Sequence, residues 1–232
     1  MTVLPYGDRA LLVELDSVEA VVALADRVRA DRALADLLDD VVPGARTVLL
    51  VARPDVALDR LRAAVPPLQP ADAPADAPAD APTDAPTVRH PEPPDPGAGR
   101  WVRREVEVPV TYDGPDLAEV ARLTGLSEAE VVRAHTGTTW RVAFGGFAPG
   151  FAYLVGGDRR LEVPRRDSPR TSVPAGAVGL AGEFSGVYPR SSPGGWQLIG
   201  RTEVAMWDHD REPPALLGPG DRVRFVDARE RR

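Results

Sequence analysis

Two different periods of apolar residues divide this chain. Near its start, Val18, Val21, Val22, Ala25 and Val28 recur at three- and four-residue spacing, which predicts one buried face of a helix that Ser17 can cap. Short apolar runs flank that helix: Ala10 to Leu15 after the turn-like Tyr6-Gly7-Asp8, and Thr47 to Ala52 after Pro43-Gly44, both read as strands. Asp55 is placed to cap a further short helix ending near Val65. The order strand, helix, strand, helix predicts a small α+β unit over residues 1–65, with a ferredoxin-like sandwich as its arrangement.

From residue 100 the period changes to two. Val102, Val106, Val108, Val110 and Tyr112 alternate with Arg103, Glu105, Glu107 and Thr111, a strand with one wet face. Asp113-Gly-Pro turns it, a helix runs to Gly125, and Ser127 with Glu130 forms a capping box for a second helix through Thr136. Beyond Thr138, short runs separated by glycine and proline continue to a last strand ending near Val226, and many short strands predict a closed β-barrel over residues 100–232. Between the two units, residues 66–99 hold four tandem repeats, Ala71-Asp-Ala-Pro74 to Thr83-Asp-Ala-Pro86, followed by Pro91, Pro93, Pro94 and Pro96. Proline at every fourth position bars helix and ladder alike, and one carboxylate per repeat keeps the segment solvated. It reads as a linker or surface insertion, with a docking tail as the alternative.

Composition narrows the function classes. A net charge of -7 provides no basic patch of the kind nucleic-acid binding requires. Apolar runs such as Val48 to Ala52 fall far short of a membrane span, and the first residues lack the charged and apolar regions of a secretion signal, so a cytoplasmic protein is expected. With no cysteine there is no disulfide framework, thiolate zinc site or cysteine nucleophile. All 28 basic residues are arginine, so neither a P-loop lysine nor a Schiff base is available within the chain. A reaction using ATP would then draw on a partner chain to bind it. Three scattered histidines give no metal motif, and no metal is expected.

Candidate chemistry concentrates between Arg141 and Arg201. Nine of the thirteen aromatic residues lie from Trp140 to Trp207, interleaved with Gly-Gly and Arg-Pro pairs. Shaped loops over a packed floor produce this pattern, and so does a loop-rich β core. Arg165, Arg166, Arg170 and Arg190 stand beside prolines, which hold their backbones while the guanidinium forks point outward, a geometry that suits a carboxylate or phosphoryl group. His135 shares a helix face with Val131 and is either a general base or a packing residue. Neither Ser185 nor Ser192 sits in a Gly-x-Ser-x-Gly elbow, and the glycines from Gly176 to Gly182 lack the dinucleotide fingerprint.

Four stretches carry a family resemblance: Tyr6-Gly-Asp-Arg-Ala-Leu-Leu-Val-Glu14; Gly146-Phe-Ala-Pro-Gly-Phe-Ala-Tyr-Leu154; Pro164-Arg-Arg-Asp-Ser-Pro-Arg170 with Val173-Pro-Ala-Gly176; and Tyr188-Pro to Thr202, containing Ser192-Pro-Gly-Gly-Trp-Gln-Leu-Ile-Gly-Arg201. The chain resembles the family of 5-oxoprolinase B subunits, which also includes Kip-type inhibitors of sporulation histidine kinases and allophanate-hydrolase subunit 1-like domains. The resemblance implies a small α+β domain joined to a cyclophilin-like β-barrel. It implies the 5-oxoprolinase C and A subunits as partners, an ATP-dependent opening of 5-oxoproline to glutamate, and no activity of this chain alone. A Kip-type kinase-binding module and a urea-degradation accessory are the alternatives it carries. On the enzyme reading, Phe147, Pro149, Phe151, Arg166, Tyr188, Trp196 and Arg201 bind a cyclic amide acid beside the C subunit, while Arg170 meets developing charge and His135 shuttles a proton. One departure is Phe184-Ser-Gly186, where the family pattern has Gln-Thr-Gly.

Overall fold

In the computed structural model, which describes residues 1–65 and 104–230, the N-terminal sequence forms a four-stranded sheet with helices on one face. A hairpin opens it: β1 (Thr2–Tyr6) turns at Gly7, whose φ is 65°, into β2 (Ala10–Glu14). Helix α1 (Val18–Ala30) follows, capped by Ser17 Oγ, which accepts the Ala20 amide at 3.3 Å. The expected stripe of α1 is buried as the spacing predicts. After the single turn α2 (Arg32–Ala35) come β3 (Leu38–Pro43), β4 (Thr47–Ala52) and α3 (Leu58–Ala64). The sheet order is β1-β2-β4-β3, antiparallel throughout.

Three details differ from the sequence reading. Strands β1 and β3 are additional, since Pro5 in the first and the Asp39-Asp40 pair in the second mask their edge-strand pattern. With β1 ahead of β2 and β3 ahead of β4, the element order departs from the strand-helix-strand-helix of the ferredoxin-like sandwich expected. Asp55 does not cap α3, whose N-cap position is Ala57. The repeat segment 66–99, and Val102 and Arg103 of the expected next strand, lie outside the described residues.

The second unit starts with β5 (Glu105–Val110), then α4 (Leu117–Thr124), ended by Gly125 at φ 72°, and α5 (Glu128–Thr136), opened by the full Ser127–Glu130 capping box. Strands β6 (Thr139–Gly145), β7 (Ala152–Val155), β8 (Arg170–Val173), β9 (Ala177–Ala181), β10 (Phe184–Val187), β11 (Ser192–Gly194), β12 (Gln197–Arg201) and β13 (Arg222–Asp227) follow, with one 3₁₀ turn at Arg159–Leu161. Seven of the strands form one sheet, β12-β9-β10-β7-β6-β13-β5, and β8 pairs with β11 in a separate ribbon. Just beyond β5, Thr111 exchanges both backbone hydrogen bonds with Arg201 of β12, at 2.8 and 2.9 Å, which nearly closes the sheet into a barrel. Val108, Val110, Val142, Leu154, Leu180, Ile199 and Phe225 fill the interior, as expected for a barrel this small.

The two units touch through α1 and β6. Val18 and Val22 share a buried cluster with Ala143 and Phe144, Asp26 pairs with Arg141, and the Arg29 guanidinium donates to the Pro219 carbonyl at 3.4 Å. Helix α1 therefore presents apolar residues both to its own sheet and to the barrel.

Candidate functional site

Phe151 is the centre of an aromatic cluster. Its buried ring meets Tyr153, Phe147, Tyr188 and Trp196 edge on, with centroids 5.0, 5.3, 5.4 and 5.4 Å away. This is the arrangement that a ring's negative face and positive rim favour. Strand β7 supplies Tyr153, the end of β10 leads into Tyr188, and the residue before β12 is Trp196. Glycine makes the fit possible: a Cβ on Gly194 would collide with the Tyr188 hydroxyl. Burial pushes the Tyr188 phenol up, partly opposed by the Trp196 amide and the Arg165 charge.

Phe147 covers this floor from a tight loop. It is 58% exposed, and its φ of 68° is the one positive value of a non-glycine residue among those described. Hydrogen bonds from the Ala148 amide to the Gly146 carbonyl, 2.8 Å, and from the Phe151 amide to the Ala148 carbonyl, 2.9 Å, hold it there. Such a backbone costs about 1–3 kcal/mol and persists where the surroundings over-determine it. Pro149 lies exposed in the same loop.

Beside the aromatic cluster, two arginines converge on one carboxylate. Arg166 Nη1 and Arg170 Nη2 each donate to Asp116 Oδ1 at 2.7 Å, and the Leu198 amide donates to Oδ2 at 2.7 Å. Asp116 is 3% exposed. Burial raises its carboxyl, but the bonds from Arg170 and the Leu198 amide, with the charges of Arg170 and Arg166, outweigh that and hold it below the usual carboxylate range. The loop is fixed as the prolines suggest: the Arg166 amide donates to the Gly195 carbonyl at 2.8 Å, and Gln197 Nε2 to the Pro164 carbonyl at 3.2 Å. Two guanidinium groups against one carboxylate leave a surplus positive charge, and Arg165 adds an exposed one. The arrangement offers surplus positive charge to an anion, and the exposed Phe147 ring is the apolar surface open to its body.

The structure thus clusters Phe147 with the buried rings of Phe151, Tyr188 and Trp196, sets Pro149 in the Phe147 loop and Arg166 and Arg170 on Asp116, and separates two other expected residues from these groups. Arg201 lies at the far end of β12, exposed and paired with Asp113 at 2.9 Å and Glu203 at 3.5 Å. His135 is 0% exposed. Its Nδ1 meets the Tyr112 hydroxyl at 2.8 Å, its Nε2 meets Ser185 Oγ at 2.9 Å, and its ring stacks on Phe225 at 4.2 Å. None of these partners belongs to the arginine and aromatic cluster. Burial pulls its pKa down to about 3, so the imidazole is neutral and internal, and the expected proton shuttle gives way to a packing role. Asp116 escaped the sequence reading because it falls in the Asp113-Gly-Pro-Asp116 turn, where an acid reads as a helix start. The signal was its position just ahead of α4 in a chain whose proline-braced arginines need a counter-charge. Phe184 packs against Phe144 and Tyr153. Among the described residues no cluster of His, Asp or Glu is arranged to hold a metal ion, and no helix is long and apolar enough to cross a membrane.

Residues 1–217 match the family described as "Carboxyltransferase domain, subdomain C and D", and the chain belongs to that family. Within it, the chain is 52% identical over 132 residues to the 5-oxoprolinase B subunit of Bacillus subtilis (strain 168), covering 56% of this chain and 55% of that protein. It is 52% identical over 130 residues to the protein of the same name from Escherichia coli O157:H7, covering 55% and 60%. The matches span little more than half the length of these relatives. Among solved structures, TTHA0988 superposes with a TM-score of 0.67 at 35% identity, over 95% of this chain and 40% of that one. PH0987 from Pyrococcus horikoshii gives 0.52 at 32% identity over 99% of both chains. The K. lactis urea amidolyase, at 18% identity and a TM-score of 0.57 over 99% of this chain and 15% of that one, shares the fold.

Proposed function

We propose that this chain is the B subunit of an ATP-dependent 5-oxoprolinase that opens 5-oxoproline to glutamate together with the C and A subunits, and that its cyclophilin-like barrel carries part of the substrate site. The names of the relatives support a subunit of a multi-subunit amide-hydrolysing enzyme. The observation that carries the finer reading is the Arg166–Asp116–Arg170 cluster beside the Phe151 floor. 5-Oxoproline is a five-membered lactam bearing a carboxylate, so the guanidinium groups meet the carboxylate while the ring's methylene groups lie against the exposed ring of Phe147. A carbonyl oxygen gaining charge as the amide opens is stabilised by fixed donors, which a pre-positioned Arg170 supplies without reorganisation.

The residues of this chain do not fit ATP. It has no lysine, and Gly176 to Gly182 runs through the buried strand β9 instead of forming a phosphate-cradling turn before a helix. We assign ATP to a partner polypeptide and route no step of this chain's chemistry through it. The exposed Phe147 favours one second reading, a Kip-type face that grips a kinase, because an unshielded aromatic at a strained position also suits a protein partner. Turnover of 5-oxoproline by the purified A and C subunits, with and without this chain, separates the two. Activity that depends on this chain supports the enzyme reading; undiminished activity without it refutes that reading.

A further inference from the structure

We propose that Asp116 is the positioning residue of this site, a carboxylate that does not touch the ligand but aims Arg166 and Arg170 at it; the inference rests on the substrate-site reading above. Asp116 ties together three segments that are distant in sequence. Its two oxygens take Arg166, Arg170 and the Leu198 amide, and its own amide donates to the Leu198 carbonyl at 2.9 Å. The turn that carries it lies flat on β12, so close that a Cβ on Gly114 would collide with the Leu198 carbonyl oxygen. The start of α4, the Pro164–Arg170 loop and β12 are thereby locked to one another.

Stability alone does not account for this arrangement. A buried ion pair roughly breaks even against apolar packing. Here Arg166 Nε and Arg170 Nη1 are also buried without an acceptor, an uncompensated desolvation. What the cluster gains is direction. Both guanidinium groups share one oxygen, and their side chains remain 34% and 23% exposed, so each arginine is held in one direction while part of its side chain stays open to solvent. Neutralising Asp116 leaves the positive charges in place and removes their orientation, so affinity falls although the local charge becomes more favourable to an anion.

The test is Asp116→Asn in the complete chain, assembled with the A and C subunits. The expected result is a KM for 5-oxoproline raised roughly 10- to 100-fold with a much smaller change in kcat, the effect of misplaced binding groups. In an Arg166→Ala, Arg170→Ala background the same substitution adds nothing further, because Asp116 acts through them. An unchanged KM in a folded Asp116→Asn complex, or an effect that simply adds in the double-arginine background, overturns the proposal. Asp116→Glu keeps the charge on a longer arm and is the second variant should the first not fold; it raises KM less, and a wild-type KM there counts against the proposal. If the wild-type complex does not turn over 5-oxoproline, the functional reading fails and positioning is judged on the isolated full chain. There the arginine Nε–H NMR signals of Arg166 and Arg170 sharpen on titration with acetate in wild type and are exchange-broadened in Asp116→Asn. Identical spectra for the two proteins refute the positioning role.

Discussion

His135 makes the stability of this protein fall in mild acid. Its imidazole is sealed between Tyr112, Ser185 and Phe225, and burial holds its pKa at about 3 in the folded chain. In the unfolded chain a histidine protonates near pH 6.5, so below that pH the unfolded state binds more protons and stability declines as pH drops. The stabilisation is complete above pH 6.5 and is lost progressively down to about pH 3. Each pH unit is worth about 1.36 kcal/mol, so lowering the pH from 6.5 to 5.0 removes about 2 kcal/mol. Glu183, raised by burial and by Glu19 and Glu162, contributes with the opposite sign. A His135→Gln variant isolates the histidine, since glutamine keeps a donor and an acceptor but does not titrate. Urea unfolding at several pH values between 7.5 and 5.0 is the assay. Gln is destabilising at pH 7.5, and its deficit against wild type shrinks by about 2 kcal/mol at pH 5.0. A deficit that stays constant across this range would show that the imidazole is reached by solvent protons, and the sealed-core argument would fail.

The other predictions concern the site face. Phe147→Gly removes the strain of a positive φ and the exposed ring together, so stability stays within about 1 kcal/mol of wild type while KM for 5-oxoproline rises. A loss above about 2 kcal/mol in thermal or urea unfolding refutes the strain assignment. Arg201→Ala breaks two exposed ion pairs, costs less than about 1 kcal/mol, and leaves turnover unchanged; a raised KM returns Arg201 to the site.

What the sequence revealed, and what it hid, follows from the distance over which each feature is decided. Helix α1 and its Ser17 cap, the capping box of α5 and the αL stop at Gly125 were legible because each depends on residues within a turn or two. Strands β1 and β3 were not, because their pairing partners lie across the sheet and their own residues include proline and paired acids. The aromatic floor was legible as a concentration of rings, although nothing local states that Phe151 sits at its centre. His135 and Asp116 mark the limit. On its helix face His135 reads as a base or as a core residue, and its placement is decided by Ser185, 50 positions away. Asp116 reads as a helix start, and its role is set by Arg166 and Arg170, 50 and 54 positions downstream. Barrel closure at Thr111 and Arg201 brings the Asp113–Asp116 turn onto β12 and so delivers the carboxylate to the arginines. His135 is buried elsewhere in the barrel: α5 packs against β13, and the imidazole is covered by Phe225 of that strand. The fold therefore assigns different fates to two buried polar residues: His135 is held by the neutral hydroxyls of Tyr112 and Ser185, and Asp116 meets two counter-charges.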